Sequence, residues 1–258
     1  MTTDRLKLAR DLIPVVRAAG DIELKYYNEG AEVMDKTDGS PVTLADQEAE
    51  KLIFARLKEI APDIPVVGEE AVAAGKIPDI SGGTFFLVDP LDGTKEFITG
   101  GGDFTVNIAL MVDFQPVMGI IFAPVSGELY FGADGKAFMS VKDGPEESIT
   151  VRAEPPAEGL TVVASKRHGD PEALEEFLHG KKVGALFNRS SSLKFCAIAA
   201  GQADIYPRLG PTCEWDTAAG DAILRAAGGK VTTLDGQPLP YGKSDQKFLN
   251  PQFVAFAA

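Results

Sequence analysis

An α+β half followed by an α/β half, stacked in layers, is the fold class predicted by this sequence of 258 residues. Three observations lead there. Residues 85–131 hold apolar, strand-like runs broken by turn residues, the pattern of an antiparallel meander. The pair Pro155-Pro156, flanked by Glu154 and Glu158, marks a shift in composition, so a boundary near residue 157 is expected, with halves 1–156 and 157–258. Beyond it, short apolar runs alternate with helical ones, which suits a layered α/β arrangement.

In the first half, Leu8, Leu12, Ile13, Val16, Ala19 and Leu24 recur near helical spacing over residues 4–27, with a kink expected at Pro14. Lys36 to Pro41 is a polar turn cluster. Thr43 then opens a helix with Ala49, Leu52, Ile53, Leu57 and Ile60 on one face. Thr43-Leu44-Ala45-Asp46 fits a capping pattern, so Asp46 has a structural role at hand. Pro65 to Gly68 reads as a short strand running into the adjacent carboxylates Glu69 and Glu70. Phe85-Phe86-Leu87-Val88 is a buried strand expected to end at Pro90, before a tight turn at Asp92-Gly93-Thr94. Strands over 104–110, 117–122 and 128–131 follow, with turns at 124–127 and 133–135.

In the second half, strands are expected over 160–164, 182–187, 203–206, 230–233 and 252–256. Helices are expected over 171–179, 191–200 and 217–227, the last two ended by Gly201 and by Gly228-Gly229. There are no internal repeats or low-complexity tracts.

Composition narrows the function. A net charge of −13 argues against a nucleic-acid-binding or anionic-membrane-binding face, both of which need cations. No apolar run approaches the roughly 20 residues of a membrane span, and the N-terminus lacks a signal-peptide core. Cys196 and Cys213 form neither CxxC nor zinc spacing. A reduced cytoplasmic protein, a monomer or weak homodimer, is the expectation.

The chemistry lies in the placement of acids. Glu69, Asp89, Asp92 and Asp216 all fall where a strand ends or a helix begins, Asp216 at a position where a carboxylate caps free N–H groups. If they converge, mutual repulsion forbids all four from staying ionised without cations. Hard oxygen donors with no neighbouring His or Cys point to Mg²⁺ rather than zinc.

The motifs DPLDGT, EWDTAAGDAIL and an upstream GEE resemble the lithium-sensitive, magnesium-dependent phosphatases that include inositol monophosphatase and fructose-1,6-bisphosphatase. Within that family, DPLDGTKEF and SSSLKF are most similar to the CysQ-type 3′(2′),5′-bisphosphate nucleotidases. The resemblance implies alternating α-β-α-β-α layers. It also implies two or three Mg²⁺ ions held by Glu69, Asp89, Asp92 and Asp216, with the Leu91 carbonyl. Asp46 and Thr94, beside Glu69, would take the proton from the attacking water. The backbone N–H groups of Gly93 and Thr94 would cradle the phosphate to be cleaved. His168, Ser191, Lys194 and Arg208 would hold the 5′-phosphate of the nucleotide, although Ser191 also suits a helix N-cap.

One further count supports a substrate with two phosphates. Residues 160–210 hold Lys166, Arg167, Lys181, Lys182, Arg189, Lys194 and Arg208 against Asp170, Glu172, Glu175, Glu176 and Asp204, a local balance of +2. One departure stands out: Ser190, preceded by Arg189, replaces the family's usual glycine before SSLKF. The implied activity is Mg²⁺-dependent removal of the 3′-phosphate from adenosine 3′,5′-bisphosphate (PAP), or from its sulfated form PAPS. The alternatives are an inositol-phosphate or sugar-phosphate phosphatase, and a non-catalytic, metal-gated anion-binding protein. Some relatives associate peripherally with the cytoplasmic side of a membrane, for which this chain offers no basic amphipathic helix.

Overall fold

The computed structural model describes residues 4–30, 33–35, 41–165 and 171–257. His168, Lys166 and Arg167 lie outside the described residues, as do positions 36–40 of the expected turn cluster.

The chain opens with α1 (Arg5–Glu29), capped by Asp4, whose side chain accepts the Lys7 N–H. Leu8, Leu12, Val15, Val16 and Ala19 form its buried stripe. The expected kink does not end the helix, which runs on through Pro14. One missing backbone bond, to the Arg10 carbonyl, is outweighed by the apolar face buried on both sides of it. A two-stranded antiparallel ribbon follows, β1 (Val33–Asp35) with β2 (Pro41–Thr43), and leads into α2 (Leu44–Ile60). Thr43 caps α2 as expected: its Oγ1 accepts the Ala45 N–H, and Asp46 closes a capping box.

The seven-stranded sheet is built from β3 (Val66–Gly68), β4 (Phe85–Asp92), β5 (Thr105–Val112), β6 (Gln115–Ala123), β7 (Glu128–Ala133), β8 (Lys136–Val141) and β9 (Glu147–Ile149), side by side in that order. Only β3 and β4 run parallel; the rest form the predicted meander, extended by the two unforeseen strands β8 and β9. Two short helices interrupt it, α3 (Glu69–Ala73) and α4 (Thr94–Ile98). β4 continues past Pro90 to Asp92 because its register against β5 shifts between Asp89 and Asp92, where an irregular stretch tolerates a residue without an N–H.

The second sheet has five strands, in the order β11 (Val183–Arg189), β10 (Leu160–Ser165), β12 (Ile205–Arg208), β14 (Phe253–Phe256) and β13 (Lys230–Thr233). β10, β11 and β12 are mutually parallel, and β14 is antiparallel to both of its neighbours. Its helices are α5 (Pro171–Leu178), which buries no residue, and the buried α6 (Leu193–Ala199) and α7 (Ala218–Ala226).

Period-two alternation in β4 joins the layers. Phe86 and Val88 pack with Leu12, Val16 and Ile53 of α1 and α2. Phe85 and Leu87 face the other way, into a cluster with Phe195, Ile223 and Leu224 of α6 and α7 and with Phe253 of the second sheet. The order is therefore helices, large sheet, helices, small sheet. Gly119 on β6 lets α7 come close: a Cβ there would stand 2.9 Å from the carbonyl carbon of Ala219, and nearer still to its oxygen.

Candidate active site

The parallel strands converge on one place. β3 ends just before Glu69, β4 at Asp92, β10 at Ser165, β11 just before Ser190, and β12 at Arg208, and residues at all five ends line a cleft of about 400 Å³. Ligands gather at the carboxyl ends of parallel strands because chain reversals there leave a crevice lined by loops.

Glu69, Asp89 and Asp216 form the centre, each offering a carboxylate oxygen within 4.8 Å of the others. Glu69 begins α3, whose orientation is set from α2: Glu50 Oε2 accepts the Glu70 N–H at 2.9 Å. Glycine is required at position 68 for that approach, because a Cβ would overlap the Glu50 carboxylate and stand 2.7 Å from the Phe54 ring. Asp89 is buried, and its Oδ1 accepts the Leu91 N–H at 3.0 Å. Asp216 was expected to cap the last helix. Instead Thr217 is at the cap position, and Asp216 Oδ2 turns back to accept the Cys213 N–H at 2.9 Å.

Electrostatics shows what this arrangement lacks. Burial, then the charges of Glu69, Asp92 and Asp216, raises the pKa of Asp89 well above the carboxylate range. Burial, then Asp92 and Glu69, pushes Asp216 up to about 7. Crowded buried carboxylates hold on to protons unless positive charge is supplied. An all-oxygen donor set in which protons must otherwise supply that charge fits a hard divalent cation such as Mg²⁺.

Asp92 is held differently. Its Oδ2 accepts Ser191 Oγ at 2.8 Å and Ser192 Oγ at 3.0 Å, with Asn107 Nδ2 at 3.5 Å. Ser191 therefore departs from the expected N-cap: α6 is preceded by Ser192, and Ser191 sits at φ +58° with its hydroxyl against Asp92. Gly93, at φ +98°, turns the chain into α4, and Thr94 Oγ1 donates to the Leu91 carbonyl at 3.3 Å. Asp46 is buried at the start of α2, its Oδ2 accepting both the N–H and the hydroxyl of Thr43.

The cations are partly spoken for. Arg189 pairs with Asp103 at 3.3 Å and Glu128 at 3.1 Å, so it ties β11 to the first half rather than adding to a substrate face. Ser190, in place of the usual glycine, gives its N–H to Asp103 at 3.2 Å in the same knot. Lys182 donates to the Ala157 carbonyl at 2.8 Å. Lys194 and Arg208 line the cleft, Lys194 buried beside the Ser191 carbonyl and 5.2 Å from the Tyr206 ring centroid. Burial and the neighbouring Arg208 outweigh Asp92, so the Lys194 ammonium falls to about 8. Arg208 donates to the Gly210 and Pro211 carbonyls.

Thr105, Asn107, Ser192 and Glu50 were not singled out from sequence. A signal was present for two of them. Thr105 and Asn107 are polar residues two apart in an otherwise apolar strand, hence on one face.

The inositol monophosphatase family model matches residues 5–252. A 3′(2′),5′-bisphosphate nucleotidase CysQ of Escherichia coli O157:H7 is 45% identical over 243 residues, which are 93% of this chain and 95% of that protein. The protein of the same name from Buchnera aphidicola is 40% identical, over 97% of this chain and 94% of its own. The crystal structure of CysQ from Bacteroides thetaiotaomicron, described as a bacterial member of the inositol monophosphatase family, superposes with a TM-score of 0.79 at 37% identity, covering 100% of this chain and 99% of that one. With acidic motifs in both halves meeting in one cleft and a family match from end to end, this chain belongs to the inositol monophosphatase family.

Proposed function

We propose that the protein is a Mg²⁺-dependent 3′(2′),5′-bisphosphate nucleotidase that removes the 3′-phosphate of PAP to leave AMP, and acts on PAPS in the same way. The observation that carries this is one cleft lined at once by the Glu69–Asp89–Asp216 cluster and by the cations Lys194 and Arg208. A substrate with two separated phosphates needs both: metal at the phosphate to be cleaved, fixed cations at the other. The curated relatives named above carry the same activity in their names.

In this reading Glu69, Asp89, Asp92, Asp216 and the Leu91 carbonyl hold two or three Mg²⁺ ions. When bound, Mg²⁺ neutralises phosphate oxygens, acidifies a water and stabilises the leaving oxygen. The remaining roles fall to the chain itself. The proton of the attacking water ends on the Asp46 carboxylate: Thr94 Oγ1 accepts it as its own proton turns from the Leu91 carbonyl to Asp46, which the Thr43 cap holds. The N–H groups of Gly93 and Thr94 receive the phosphate where the chain turns into α4. Ser191, Lys194 and Arg208 receive the 5′-phosphate, with His168 as a fourth contact. No helix among the described residues is long and apolar enough to cross a membrane, and neither cysteine is in a disulfide, which suits a reduced cytoplasmic setting.

The test is phosphate release from PAP beside inositol 1-phosphate, each with Mg²⁺ and with chelator. Chelator-sensitive release from PAP, with little from inositol 1-phosphate, supports the assignment. Preference for inositol phosphate keeps the metal cluster and overturns the role of Lys194 and Arg208. No release from either sinks the phosphatase reading for these substrates.

A further inference from the structure

The carboxylate of Asp92 is gripped from both halves of the chain, by Asn107 from the first and by Ser191 and Ser192 from the second. Thr105, Asn107 and Ser192 are all buried, at 0%, 0% and 1% exposure. Thr105 Oγ1 donates to Asn107 Oδ1 at 2.9 Å, which directs the amide NH₂ the other way, to Ser192 Oγ at 2.9 Å and toward Asp92. Ser192 Oγ, with Asn107 donating to it, has its own proton for Asp92 Oδ2 at 3.0 Å. The Asp216 carbonyl oxygen lies 2.9 Å from the same hydroxyl. Thr105 Oγ1 also touches Ser191 Oγ, so the chain of polar contacts closes on itself.

We propose that Ser192 and Asn107 are positioning residues for the metal site, oriented by Thr105. Together with Ser191 they fill Asp92 Oδ2 and leave that carboxylate one oxygen, Oδ1, with which to meet a cation. Outer partners of this kind fix which lone pair a ligand presents, and their loss weakens metal binding even though they never touch the ion. A buried, fully connected network is also rigid, so it holds the two halves of the site at one spacing.

The inference rests on the metal-dependent reading above, and the experiment separates the two. Mn²⁺ binding to metal-stripped protein is measured by the loss of its free-ion electron paramagnetic resonance signal, for wild type, Ser192→Ala and Thr105→Val. Ser192→Ala is expected to weaken Mn²⁺ by about 10-fold or more, and Thr105→Val, which is isosteric, by a smaller factor in the same direction. In phosphate release from PAP, the Mg²⁺ needed for half-maximal rate rises with it, while KM at saturating Mg²⁺ stays within about 2-fold, since neither side chain is assigned to substrate. Wild-type binding with both variants unaltered overturns the inference alone. A lowered melting temperature with unaltered Mn²⁺ affinity also overturns it, because the network is then only structural. Should Ser192→Ala fail to fold, Thr105→Val decides in the same way. Wild-type protein that takes up no Mn²⁺ overturns the metal reading and this inference with it.

Discussion

Metal binding at the cluster is expected to compete with protons. In the metal-free protein, burial and the facing charges of Asp92 and Glu69 push Asp216 up to about 7, and Asp89 is raised as well. A group with a pKa of about 7 is about nine-tenths protonated at pH 6 and about one-tenth at pH 8. A cation that needs the carboxylate must displace that proton, so Asp216 releases about 0.9 proton at pH 6 and about 0.1 at pH 8. Between pH 7 and 5, affinity should therefore drop about fivefold over the first unit of acidification and about ninefold over the second. The stability of the metal-free fold runs the other way. A carboxyl raised above its unfolded value binds protons better when folded, so stability declines as pH rises from about 4 to about 7. Mg²⁺ restores it, because it binds only the deprotonated folded state. Titration calorimetry of metal-stripped protein with Mg²⁺, in two buffers of different ionisation enthalpy, reads the proton count directly. Affinity that is flat from pH 5 to 8, with no proton release, would refute the reasoning.

Asp89→Asn keeps the shape of the buried centre but removes its charge. Hydrolysis of PAP should fall by about 10³-fold or more, with the circular dichroism spectrum unchanged; retained turnover would sink the metal assignment. Lys194→Met should raise KM for PAP by roughly 10- to 100-fold, as expected for losing a charged hydrogen bond, with a smaller effect on kcat. Its melting temperature without ligand should hold or rise, since an ammonium that burial has pushed down to about 8 costs stability there; a clear fall would show a structural role. Gly119→Ala forces a methyl group against the Ala219 carbonyl where β6 meets α7. A cost of about 3 kcal/mol should lower the melting temperature by roughly 6 to 12 °C, and an unchanged melt would contradict the close approach.

Much of this was legible in the linear chain. The α1 and α2 stripes, the meander from β4 to β7 and the strand–helix alternation beyond residue 157 follow from apolar spacing. Pro90 misled because proline predicts a strand end, whereas a register shift against β5 absorbs it. Ser191 misled because a serine before an apolar run reads as a helix cap. Here a left-handed backbone swings its hydroxyl onto Asp92 instead. The positive balance of residues 160–210 overstated the cationic surface, since Arg189 is neutralised by Asp103 and Glu128, both from the first half.

The sequence by itself determined which carboxylates are candidate ligands and that they fall near the junctions of strands and helices. Hard carboxylates at strand ends and the motif order are local properties, written in contiguous stretches. Only the tertiary structure decided what holds those carboxylates in place. Glu50 reaches α3 through the space left by Gly68, and Ser192 meets Asp92 across 100 residues of chain. Such contacts come from the docking of one layer on another. Their geometry depends on packing distances that no local spacing encodes.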